Sequence, residues 1–219
     1  LDQPSGQMQA GQFWFARGNH PKAIEHMEKA ILWDPNSPPF HHDLAMIYSV
    51  TGQTKLAIAK MRDAIRVAPK HAEYHYELGL ALAETGDIQA VITSLEEAVS
   101  LDPNSAAYKK QLAAVHERMH NFSDARNVWL ELDKKAKESG DKLLAREART
   151  RIVSLWGQEK ILDAQVPRLN TAFHGKPADV DAGRLLAEVQ IRLQKPADAE
   201  ATLREVTTLA PGDTEAYLA

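Results

Sequence analysis

Five prolines constrain this chain more than any other feature. Pro35, Pro69 and Pro103 are spaced by 34 residues, and so are Pro177 and Pro211. Each closes a run of helical character: ILWDPNS, IRVAPKH, VSLDPNS, FHGKP and TLAPGD. From Pro103 to Pro177 is 74, one period plus 40, so the gap holds one repeat without its proline and six extra residues. A fixed period of this length means one supersecondary unit repeated along the chain, in which each copy buries its apolar face only by stacking on its neighbours.

Aligned on the prolines, the repeats run 4–37, 38–71, 72–105, 106–139, 146–179 and 180–213, with an insertion at 140–145. Residues 214–219 begin a seventh repeat or form a cap, and 1–219 reads as a single array. The register separates small from large positions. The eighth holds Gly11, Ala45, Gly79, Ala113, Val153 and Ala187. The twentieth holds Ala23, Ala57, Val91, Ala125, Gln165 and Ala199, and the twenty-seventh Ala30, Ala64, Ala98, Leu132, Ala172 and Val206. Large apolar residues fill the twenty-fourth throughout: Met27, Met61, Leu95, Trp129, Leu169 and Leu203. Two antiparallel helices approach closely only where side chains are small, and large neighbours then fill the groove. Gly52 and Gly86 fall where the first helix of a repeat ends, a place for a left-handed cap. The proline ends the second helix by removing an N–H donor.

Small eighth, twentieth and twenty-seventh positions with proline at the thirty-second resemble the tetratricopeptide repeat family. The likeness covers 4–213 and departs from the family pattern at Lys137, in place of proline, and at Gln165, in place of a small residue. It implies an all-α fold, a right-handed superhelical solenoid of six helix-turn-helix repeats. It also implies a binding protein, not an enzyme, with no cofactor and no metal. The first helices of successive repeats would line a concave groove that holds a protein or peptide ligand.

Repeat positions 2, 5, 9, 12 and 13 are assigned to that groove by the resemblance. Among them are Met8, Gln12 and Phe15 in the first repeat, His42, Met46 and Ser49 in the second, and Tyr76, Leu80 and Glu84 in the third. Lys110 and Arg118 follow in the fourth and Arg184 in the sixth. Methionines and aromatics make the N-terminal half apolar and adaptable, while the C-terminal half mixes charges. Family members that hold a chaperone's C-terminal carboxylate use Lys, Asn and Arg where this chain has Met8, Gln12, Asp43, Glu73 and Glu77. That clamp is absent, and partly reversed in charge.

The sequence also contains HERMH at 116–120, matching the H-E-x-x-H pattern in which two His bind zinc and the Glu activates water. In the repeat register His116 is a packing position and His120 lies where the helix should stop, so the pattern reads as packing and surface. The stretch 133–151 is rich in Lys and Arg. It reads as a long second helix, a turn at Ser139-Gly140 and an early helix start near Asp141. Its charge suits a solvated surface or, alternatively, docking of an acidic partner or anionic lipid.

Composition narrows the remaining classes. With 26 Lys+Arg against 30 Asp+Glu, the net charge is −4, which does not point to nucleic acid. Absence of cysteine removes disulfides and thiol catalysis. No apolar run reaches the ~18 residues of a membrane helix. The start at Leu1 suggests a trimmed N-terminus, and with the composition it leans toward a bacterial protein, periplasmic or held at a membrane through a missing segment. The leading expectation is an adaptor or scaffold, with envelope or secretion assembly as its setting. A substrate-recognition arm of a larger enzyme and a self-associating scaffold are the alternatives.

Overall fold

The computed structural model describes residues 3–211, so the expected seventh-repeat start at 214–219 lies outside the described residues. Among them there are twelve α-helices and no strand, an all-α helical-repeat fold. The chain divides into two units, 1–115 and 116–219.

The first unit holds α1 (Pro4–Ala16), α2 (His20–Trp33), α3 (Pro38–Val50), α4 (Thr54–Val67), α5 (Ala72–Ala83), α6 (Ile88–Leu101) and most of α7 (Ala106–Arg118). α1 packs on α2, α3 on α4 and α5 on α6, and each hairpin stacks on the next through α2–α3 and α4–α5. The small positions meet the large ones as the sequence requires. A Cβ at Gly11 would lie 2.9 Å from the Met27 side chain, and one at Gly79 3.1 Å from Leu95. Ala23, Ala30, Ala57, Ala64, Val91 and Ala98 are buried where the helices converge.

The second unit holds α8 (Phe122–Ser139), α9 (Lys142–Gln158), α10 (Leu162–Phe173), α11 (Val180–Arg192) and α12 (Pro196–Leu209). α8 and α9 carry the insertion between them as extra helical turns: α8 runs to Ser139, Gly140 caps it in the left-handed region, and Asp141 caps α9 by accepting from Leu144 N–H. α9 packs mainly on α8 and α10 on α11, whereas α9 and α10 touch only marginally. The fifth repeat therefore departs from close pairing, and it is the repeat in which Gln165 replaces the small residue of the twentieth position. Pro167 sits inside α10 as well. Ala172, at the twenty-seventh position, is exposed, and its neighbour Phe173 turns inward and is fully buried instead.

A second periodicity emerges in the backbone. Gly18, Gly52, Gly86, His120, Lys160 and Gln194 all have φ between 57° and 78°. They recur every 34 residues, with one interval of 40 across the insertion. Each lies just beyond the first helix of its repeat, where a left-handed residue lets the chain reverse into the second helix. The first three are glycine, which adopts this conformation freely. The last three are not, and each carries the Cβ–carbonyl crowding that costs roughly 1–2 kcal/mol. Lys160→Gly relieves it while adding unfolded-state entropy worth about 0.4–1 kcal/mol. The expected net result is a gain of about 0.5–1 kcal/mol, read as a shift of a urea midpoint at constant slope. Gly52→Ala should lose about 1 kcal/mol in the same measurement.

The inter-repeat turns are tied by a residue the repeat register did not single out. His41 Nε2 donates to the Pro35 carbonyl at 2.8 Å, and His75 Nε2 to the Pro69 carbonyl at 2.8 Å. The two bonds are one period apart. The recurring proline thus ends a helix and offers its carbonyl to the first helix of the next repeat.

Candidate protein-interaction face

α1, α3 and α5 present a common face, each having turned its opposite side to its own second helix. Side-chain contacts join these first helices. Gln12 Nε2 donates to Asp43 Oδ2 at 2.7 Å, linking α1 to α3. His42 Nε2 donates to Glu77 Oε2 at 2.6 Å, linking α3 to α5. Tyr76 and Tyr108 bring their rings to 4.7 Å, linking α5 to the start of α7. His42 Nδ1 also donates to Asp43 Oδ1 at 3.3 Å, and the imidazole stacks at 5.1 Å on Tyr74.

The electrostatics follow from who sits where. α1, α3 and α5 contain no Lys or Arg, and their acids are Asp43, Glu73 and Glu77. His42 is flanked by two of these carboxylates. Hydrogen bonds to Asp43 and then Glu77 hold its imidazolium up to about 10, against the opposing effect of burial, so it is charged at neutral pH.

None of the side chains assigned to the groove from sequence is buried. Met8 and Phe15 pack partly against the cluster of Ala23, Met27 and Leu44, leaving one edge open. Gln12, Phe15 and Met46, with Asp43, Met27 and Ile47, line a pocket of about 100 Å³. Ser49 and Tyr76 are half-buried, and Leu80 is exposed. Glu84 accepts from Thr54 Oγ1 at 2.6 Å. Lys110, on α7, is half-buried. Arg118 and Arg184 belong to the second unit and are described with it.

The sequence reading did not select Tyr108. Its signal was present: Phe40, Tyr74 and Tyr108 form an aromatic column at the third position of three successive repeats. Asp43 and Glu77 were weighed only as failures of a carboxylate clamp, whereas here they bind His42 and join the helices.

In the second unit Arg118 is exposed at the end of α7. Arg184 pairs with Asp181, which also receives Lys137 Nζ at 3.2 Å, and Lys137 reaches the buried Asp133 at 2.7 Å. Lys137, Asp181 and Arg184, with Asp141, Lys142 and Arg149, line a pocket of about 480 Å³ that mixes cations and carboxylates. Within the basic 133–151 run, Lys137 thus ties α8 to α11, and Arg151 pairs with Glu117. The HERMH residues diverge in environment. His116 is buried, while His120 is exposed beyond the helix with its ring edge-on to Phe122. Glu117 accepts from Trp129 Nε1 at 2.9 Å and pairs with Arg151 at 3.3 Å.

Comparison with known proteins matches this repeat geometry. Tetratricopeptide repeat models match residues 42–106 and 180–205. Among solved structures, MamA superposes with a TM-score of 0.63 at 19% identity, covering 89% of this chain and 94% of its own. Pseudomonas aeruginosa pilF gives 0.56 at 20% identity, covering 98% and 95%. The first such domain of Spaghetti (RPAP3), solved with the HSP90 peptide SRMEEVD, gives 0.51 at 17% identity, covering 53% and 93%. No curated protein sequence matches the chain.

Proposed function

For this chain, which belongs to the tetratricopeptide repeat family, we propose a protein-interaction role in which a protein or peptide segment docks on the face of the first helices, without chemistry. One observation carries the reading. Met8, Phe15, Met46, Tyr76 and Leu80 keep apolar surface in contact with solvent although they stand on rigid, packed helices. Unsatisfied apolar surface on a preformed scaffold is what a docking partner covers, and methionines let it adapt to more than one side chain. That a related domain holds a peptide supports the mode of use, not the ligand.

The test compares wild type with a Met46→Glu/Tyr76→Glu/Leu80→Glu variant as bait in a cell lysate. None of the three sites is buried, so the variant should keep its circular dichroism spectrum. A protein captured by wild type and lost by the folded variant is the expected result. Equal capture by both would remove the assignment to this face. A place in bacterial envelope or secretion assembly is the narrower form of the reading. It requires the captured protein to reside there, and partners confined to other compartments would end it. Self-association is tested by light scattering over a concentration series, where a constant monomer mass would exclude it.

A further inference from the structure

We infer that the face of α1, α3 and α5 selects a cationic amphipathic segment of a partner protein. The partner's Lys or Arg side chains would meet Glu73 and Glu77 beside the Tyr76–Tyr108 rings, and its apolar side chains the Met46–Phe15 pocket and Leu80. The inference rests on the interaction role proposed above and specifies its ligand.

The distribution of charge is the first support. Within residues 1–105 every Lys and Arg lies on a second helix or in a turn, and none on α1, α3 or α5. A folding constraint does not demand this, since exposed positions such as Ser5, Gln12, Pro39 and Leu80 on the same helices would accept a lysine. His42 is shared by Asp43 and Glu77, so the triad keeps a negative charge. Glu84 bonds only an uncharged hydroxyl, and Glu73 is exposed in the first turn of α5.

The second support is the aromatic pair. Two half-buried tyrosine rings 4.7 Å apart offer π faces to a cation. Burial first, then the negative charges of Glu73, Asp102 and Glu77, raise the Tyr108 hydroxyl. Tyrosine faces backed by carboxylates favour a guanidinium or ammonium over any anion. Third, the pocket of about 100 Å³ is lined by Phe15, Met27, Met46 and Ile47 together with the polar Gln12 and Asp43. It has room for one apolar side chain. Apolar and cationic residues at helical spacing satisfy both ends of the face.

Two pools of fluorescein-labelled peptides about twelve residues long serve as the probe, both with leucines at three- and four-residue spacing. One pool carries Lys at the polar positions and the other Glu. Anisotropy at ~50 mM salt should show the Lys pool binding at least about tenfold tighter, with the preference shrinking as salt rises. Glu73→Lys should reduce the preference to within about threefold, and Glu73→Gln, which adds no charge to the α5 first turn, should reduce it less. Glu96→Lys/Glu97→Lys, exposed on α6 away from this face, should leave it intact. An equal loss in the α6 variant would reduce the effect to net charge and overturn the inference. So would a tighter Glu pool, or no binding by either pool up to about 1 mM, the weak limit for a specific contact. If both pools bind equally and Met46→Glu abolishes both, the docking face stands and charge selection fails. If Lys-pool binding survives Met46→Glu and Glu73→Lys alike, the face itself is wrong.

Discussion

Gly183→Ala should destabilise the second unit by about 1–3 kcal/mol, although alanine favours helix by about 1 kcal/mol over glycine. Gly183 is on α11, where a Cβ would lie 2.6 Å from the Phe173 ring and 2.7 Å from Val206 Cγ2. Both neighbours are fully buried, at 1% and 0% exposure, so neither has free space to retreat into. Enlarging the partner site thus outweighs the propensity gain. Phe173→Leu alone should cost about 1–2 kcal/mol as a partial cavity. The double variant should cost less than the two single losses added together, because the smaller side chain accepts the methyl group. Urea unfolding followed by circular dichroism reads all three. Strict additivity would mean that Gly183 and Phe173 do not constrain each other.

His42 sets the second large expectation, a dependence of stability on pH. Its folded value stands near 10 against an ordinary 6.5, so the native state holds a proton that the unfolded chain releases. The stabilisation is fully present below about pH 6.5 and is lost as pH rises through 10. Between these limits the slope approaches about 1.4 kcal/mol per pH unit at most. Asp43 and Glu77 face the ring from α3 and α5, and Tyr74 stacks against it. The Tyr74 hydroxyl is itself pushed up, by burial and then by Glu73, Asp43 and Glu77, so it adds no charge below pH 10. Urea midpoints for wild type should therefore fall from pH 6 to 9. His42→Gln, which retains an N–H donor but cannot titrate, should show a flatter profile and lower stability at pH 6. Parallel profiles would mean that the imidazolium contributes nothing to folding. The same variant bears on ligand choice, since removing the positive charge leaves the face more acidic.

The helical period was legible because backbone economics repeat. A proline that cannot donate and small residues where helices converge are demanded at fixed intervals, and the chain shows both. The long α8, the turn at Gly140 and the start of α9 after Asp141 followed from helix formers on either side of one breaker. The left-handed caps were only half legible. Gly52 and Gly86 signal themselves by having no Cβ, but His120, Lys160 and Gln194 carry no such mark. Their conformation is imposed by the turn, whose geometry the packed hairpins determine. Likewise, Gln165 showed that the fifth repeat deviates, yet not that Ala172 would face solvent and Phe173 the core.

What the sequence determined by itself is the class of unit, its length and which helix face is apolar, since these depend on spacing within some tens of residues. Only the tertiary structure decided which side chains meet across repeats. Gln12 and Asp43 are 31 residues apart, His42 and Glu77 35, and Tyr76 and Tyr108 32. Such pairs depend on the rotation and translation from one hairpin to the next, which shifts with each side chain packed between them. The periodicity therefore gave the candidate face, and the stacking gave its chemistry: a shared imidazolium, a pair of tyrosine rings, and carboxylates on α3 and α5, helices that, like α1, carry no Lys or Arg.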